Sequence, residues 1–230
     1  MSGVMILATY GRCVSLPIDI DEIITRLEKE YAEKRTALMH VSLNRDPFLI
    51  LISCILSLRT KDEVTAPASR RLFELAKTPQ EMIELDSGEI ERAIYPVGFY
   101  RRKTSQIQEI SRELIERYDS KVPDEIDELL KFKGVGRKTA NIVITMAFNK
   151  AGIAVDTHVH RISNRLGLVS TKNPHETEFA LSKVLPEKYW IPFNDLLVMH
   201  GQTICAPISP RCSICPIIEF CEKVGVTTSR

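Results

Sequence analysis

The chain has almost no net charge, no long apolar run and no repeated or low-complexity segment. Its 31 basic and 30 acidic residues leave a formal charge of +1 over 230 residues, so overall balance gives no hint of a polyanionic partner, and such a hint must come from local clustering. The longest apolar stretch, FLILISCILSL at 48–58, is about half the roughly 20 residues a membrane span needs, so no spanning helix is expected. The short apolar run in MSGVMILATYGRC follows no positive region and does not read as a signal peptide. A soluble, intracellular protein is the expectation. No flexible linker is evident, so any division into lobes must come from packing. With 44% hydrophobic residues the chain can bury a real core in one large or two small domains.

Helical signals run along nearly all of it. Asp46 followed by Pro47 is a cap and first-turn start for a buried helix over 48–58, and Asp62 is placed to cap the next, carrying Leu72, Phe73 and Leu75. Amphipathic spacing predicts further helices near 22–35, 88–95, 103–118, 124–131, 137–149, 157–166, 175–185 and 190–203. Gly167 reads as a C-terminal cap and Pro174 as a helix start. The stretch GIAVD at 152–156 has strand character but no second strand to pair with. The fold class is therefore all-α.

Four of the six cysteines crowd into CAPISPRCSICPIIEFC at 205–221. Stable disulfides are a poor reading where thiols stay reduced. Cys205, Cys212, Cys215 and Cys221, spaced C-x6-C-x2-C-x5-C, instead suit a metal centre, with zinc and a [4Fe-4S] cluster both open on spacing alone. Pro207, Pro210 and Pro216 stiffen the intervening loops. Cys13 and Cys54 lie far from this group and read as core or inert thiols.

A second stretch, LLKFKGVGRKTANIVI at 129–144, sets Gly134 and Gly136 around Val135 between two helical patterns. Such a hairpin exposes backbone N–H groups at a helix start, where a phosphate can be received. Lys131, Lys133, Arg137, Lys138 and Lys150 make residues 131–155 basic without a single acid. A nucleotide-binding P-loop is excluded, because Arg137 intervenes between Gly136 and Lys138 and no glycine stands five residues earlier. A helical corner with a solvated basic edge is the plain alternative.

Taken together, GVGRKTA, then VDTHVHR about twenty residues on, then the four spaced cysteines closely resemble the endonuclease III branch of the helix-hairpin-helix DNA glycosylases. The resemblance covers nearly the whole chain from residue 40. It implies a [4Fe-4S] cluster rather than zinc on Cys205, Cys212, Cys215 and Cys221. It also implies two helical lobes with double-stranded DNA crossing between them: a six-helix barrel lobe over 40–150, and a four-helix cluster lobe of 1–39 plus 151–230. The expected activity is that of a cytoplasmic, nucleoid-associated monomer, a bifunctional DNA glycosylase and AP lyase that removes oxidised pyrimidines from DNA carrying damaged bases or abasic sites and cleaves the strand by β-elimination.

Lys138 matches the family's catalytic lysine and Asp156 its second catalytic residue. Gly134, Val135, Gly136 and Arg137 fall on the DNA-gripping hairpin. An amine attacks only in its neutral form and can stay attached as a Schiff base, while a carboxylate can stabilise charge developing at the sugar. Asp156 also suits a helix N-cap on its own account. Arg59 stands where relatives commonly carry a glutamine that fills the hole left by a flipped base, and Phe99 where a leucine wedge is frequent. A surface charge and a core aromatic are the ordinary alternatives for these two. Lys133 stands where the family usually has proline. His158 and His160 are expected to pack or to touch phosphate. A uracil, thymine or adenine mismatch glycosylase, or a non-catalytic DNA-binding iron-sulfur module, are the competing readings; adenine-specific relatives use a glutamate near 59, and no acid lies there.

Overall fold

A computed structural model describes residues 19–32 and 45–230. Cys13 and the N-terminal apolar run lie outside the described residues, and the helix expected near 22–35 spans Ile20–Glu30, ending at the Tyr31 cap. No strand occurs among the described residues, and the 152–156 stretch forms neither helix nor strand. Among them, too, no helix is long and apolar enough to cross a membrane. They fall into two compact units, 45–154 and 19–32 with 155–230.

The 45–154 unit is built around α2 (Pro47–Ser57), reached through α1 (Ile20–Glu30) of the other unit in chain order. Asp46 caps α2 by accepting from Leu49 N at 3.0 Å, and Pro47 occupies the first turn. Its apolar residues do not keep to one stripe, because Phe48, Ile50, Leu51, Ile52, Ile55 and Leu56 are all buried. Each such burial is worth about 1.5–3 kcal/mol, which makes α2 the centre of this core. Around it pack α3 (Asp62–Leu75), α6 (Tyr100–Tyr118) and α8 (Arg137–Phe148). Cys54 faces the same core, where burial pushes its thiol up to about 12 and leaves it inert.

One expectation needs correction here. Asp62 is the first helical residue of α3 rather than its cap; Lys61 holds the cap position without a side-chain bond, and Asp62 contributes its charge at the positive helix end. Leu72 and Phe73 are buried, and Leu75 is half exposed in the last turn. The short helix α4 (Pro79–Glu84) carries too few residues to show a period, yet Thr78 and Glu81 form a reciprocal capping box around its start. It is followed by α5 (Ser87–Ile94), and the one-turn α7 (Ile126–Leu129) precedes the hairpin.

In the second unit α9 (Thr157–Leu166) packs against α10 (Pro174–Val184) and α11 (Trp190–Thr203), and α1 packs against α11. Gly167 ends α9 in the left-handed region at φ 82°, as its type allows. Asn173 caps α10 with Pro174 in its first turn.

Candidate active site and cysteine pocket

The hairpin forms where the sequence puts it. Val135 is buried and its N–H donates to Phe132 O at 3.0 Å, closing a tight turn. Gly134 sits at φ 77°, and a Cβ there would lie 2.5 Å from Gln106 Nε2, which donates to Lys133 O at 2.7 Å. Only glycine meets both conditions. Gly136 is different. It is exposed, caps α8 without a side-chain bond, and an added Cβ would meet nothing within 4 Å, so the space on that side of the turn is open. Arg137 and Lys138 follow in the first turn, both half-buried.

The basic segment is less basic than its sequence. Lys131 pairs with Glu128 at 2.5 Å, Lys133 with Glu109 at 3.2 Å, and Lys150 with Asp124 and Glu125 at 2.8 Å each. The acids come from α6 and from the turn before the hairpin, which a window on 131–155 does not contain. Arg137 and Lys138 stand closest to the glycine turn, in the first turn of α8.

Asp156 takes the N-cap position of α9, where its Oδ1 accepts from His158 N at 2.8 Å and Val159 N at 2.9 Å. His158 Nδ1 lies 3.0 Å from Arg161 NH2, and His160 Nδ1 lies 2.7 Å from Thr177 Oγ1, so both imidazoles are engaged in packing contacts. Arg59 and Phe99 come together. Phe99 is 61% exposed, which removes the core alternative, and the exposed Arg59 guanidinium lies over its ring at 5.9 Å from the centroid.

All four C-terminal cysteines are free thiols lining one cavity whose remaining wall is largely apolar, including Ile162, Leu166, Ile204 and Ile217. Cys215 and Cys221 follow directly on single turns of 3-10 helix, at 212–214 and 218–220. Four thiols lining one cavity supply the all-sulfur donor set that a [4Fe-4S] group takes. The surroundings also suit bound thiolates: Arg165 NH1 reaches Cys205 Sγ at 3.3 Å and Lys223 N donates to Cys221 Sγ at 3.4 Å. Burial pushes the Cys215 thiol up to about 11 and that of Cys221 upward, so stable thiolates here need a cationic centre. The four residues therefore fit a [4Fe-4S] group.

Sequence reasoning missed what anchors this pocket. Arg165 is buried and donates to Ala206 O and Pro207 O at 2.7 Å each, while Arg161 donates to Cys205 O at 2.8 Å. Their i,i+4 spacing on α9 was the available signal. Both cations tie the helix capped by Asp156 to the loop that begins at Cys205.

An all-helical chain with a glycine hairpin opening a Lys-bearing helix defines a helix-hairpin-helix class. Residues 52–187 match the HhH-GPD superfamily of base excision DNA repair proteins. Endonuclease III of Thermotoga maritima is 52% identical over 177 residues, covering 77% of this chain and 83% of that protein. The chloroplastic endonuclease III homolog 1 of Arabidopsis thaliana is 42% identical over 79% of this chain, which spans only 50% of that longer protein. A solved non-covalent endonuclease III–DNA complex superposes with a TM-score of 0.78 at 36% identity, over 89% of this chain and 94% of that one. The chain belongs to the endonuclease III family and is a base excision repair DNA glycosylase and AP lyase.

Proposed function

We propose that this enzyme removes oxidised pyrimidines from double-stranded DNA through a lysine Schiff base and cleaves the strand by β-elimination. The observation that carries the reading is Lys138 in the first turn of α8, directly behind an exposed glycine turn that opens the helix without a side-chain cap. Those N–H groups and Arg137 receive backbone phosphates, and Lys138 Nζ attacks C1′ of the flipped nucleotide as the base leaves with a proton. The C1′–O4′ bond of the sugar ring then breaks as the nitrogen lone pair forms the iminium and O4′ takes a proton from solvent, and the iminium acidifies C2′. Loss of a proton there forms the new double bond as the C3′–O bond breaks and the phosphate departs. Asp156, on its own unit, supplies the carboxylate that stabilises positive charge developing at the sugar.

Cys205, Cys212, Cys215 and Cys221 hold a [4Fe-4S] cluster, whose four Fe–S bonds fix the C-terminal loops in one arrangement. Arg165 and Arg161 hold those loops against α9. Phe99 enters the duplex as an apolar wedge and Arg59 faces the space beside it. The enzyme acts as a single chain. The test is a panel of duplexes each carrying one lesion. Release of an oxidised pyrimidine with strand cleavage is expected; turnover confined to uracil, thymine or adenine mismatches would replace this reading with a mismatch glycosylase.

A further inference from the structure

Lys103 is only 4% exposed, in the second turn of α6, and lysines are rarely buried so completely unless their charge is satisfied. Its ammonium has three N–H donors and the structure supplies three acceptors: Leu56 O at 2.8 Å, Leu58 O at 2.6 Å and Thr60 Oγ1 at 3.1 Å. The two carbonyls belong to the end of α2, where carbonyls lack helical partners. Thr60 Oγ1 in turn accepts from Gly98 N at 3.1 Å and donates to Leu58 O at 3.3 Å. The backbone of Lys103 is committed as well, its N–H donating to Phe99 O at 3.0 Å.

One residue thus fastens two turns. Its side chain holds the turn carrying Arg59 and its main chain holds the turn carrying Phe99. The two turns are in direct contact, since a Cβ on Gly98 would lie 2.8 Å from Arg59 O. Both presented residues adopt left-handed backbone, Arg59 at φ 53° and Phe99 at φ 58°, which costs free energy in a residue with a side chain. That strain does not serve to bury Phe99, whose ring stands in solvent under the Arg59 guanidinium. A strained, cross-braced cation and aromatic ring held outward form a surface for a flat, electron-rich partner such as a nucleobase.

We propose that Lys103 is a positioning residue that holds Arg59 and Phe99 as one rigid element for entering paired DNA beside the damaged nucleotide. This rests on the DNA-acting reading above and adds the device that sets the element's aim. Lys103 touches no substrate; it acts through the two turns it joins.

The test compares single-turnover cleavage of an abasic site in a fully paired duplex with cleavage of the same site opposite a one-nucleotide gap, where no opposite base has to be separated. Lys103→Met keeps the stem and removes the donors. The ratio of the paired rate to the gapped rate is expected to fall about tenfold, the coupling expected among contacting groups of one network. Adding Phe99→Ala to Lys103→Met should lower that ratio little further than Phe99→Ala alone. Equal losses on both substrates would mean a merely structural role and overturn the proposal. Thr60→Val removes the hydroxyl shared by the two turns while sparing both Lys103 carbonyl bonds; it should lower the same ratio by a smaller factor, and it decides the matter should Lys103→Met fail to fold. A ratio unchanged in the variants, while the wild type cuts both substrates, overturns the brace alone, whereas a wild type that cuts neither overturns the DNA-cleaving reading and the brace with it.

Discussion

Asp156 has two duties that substitution can separate. Its Oδ1 accepts from His158 N at 2.8 Å and Val159 N at 2.9 Å, the donors an N-cap exists to satisfy. Replacing such a cap by alanine costs about 1 kcal/mol, which for a chain of this size lowers Tm by about 2–4 °C. Asparagine keeps an acceptor in place and gives up the attraction between the charge and the helix end, about 0.5 kcal/mol. Serine also caps well. The three variants should therefore rank Asn and Ser near the wild type and Ala below them in thermal unfolding. Single-turnover base release should divide them differently, because all three lack the carboxylate and each should be slowed by about a hundredfold or more. If Asp156→Asn retained the wild-type rate, the carboxylate would have no chemical duty; if its Tm fell as far as that of Asp156→Ala, the capping geometry would be wrong.

Cys212→Ser should abolish the broad visible absorbance of an iron-sulfur protein and lower stability together, since metal binding and folding are coupled; a colourless wild type containing one zinc and no inorganic sulfide would refute the cluster. Affinity for undamaged duplex DNA should fall by about 0.9 log units per tenfold rise in salt for each phosphate neutralised, and Arg137→Ala should reduce that slope. An unchanged slope with intact affinity would move the phosphate grip away from the hairpin.

What could be read from the sequence was local. Asp46 with Pro47, Gly167 and Pro174 announce helix ends through local backbone and side-chain preferences, whereas the Asn173 cap before Pro174 was not read. The Gly-Val-Gly turn is legible for the same reason, although the demand on Gly134 from Gln106, on another helix, is not. The cysteine spacing pointed to a shared centre but not to Arg161 and Arg165, whose acceptors lie about forty residues further along the chain. Pairing across the fold also escaped the sequence: Glu109 neutralises Lys133 from 24 positions away, and Lys103 finds its acceptors in the turn after another helix. Phe99 could be read as core or as a wedge until its exposure was known, because an isolated aromatic carries no periodicity to place it.

The central claim is that Lys138 is the amine that attacks the sugar, and reductive trapping tests it most directly. Borohydride added to the enzyme and an abasic-site duplex should yield a covalent protein–DNA adduct whose modified peptide carries the DNA on Lys138. Lys138→Gln should form none while binding the duplex within a few fold of the wild type. An adduct mapped to another amine, or one formed by Lys138→Gln at the wild-type rate, would contradict the account.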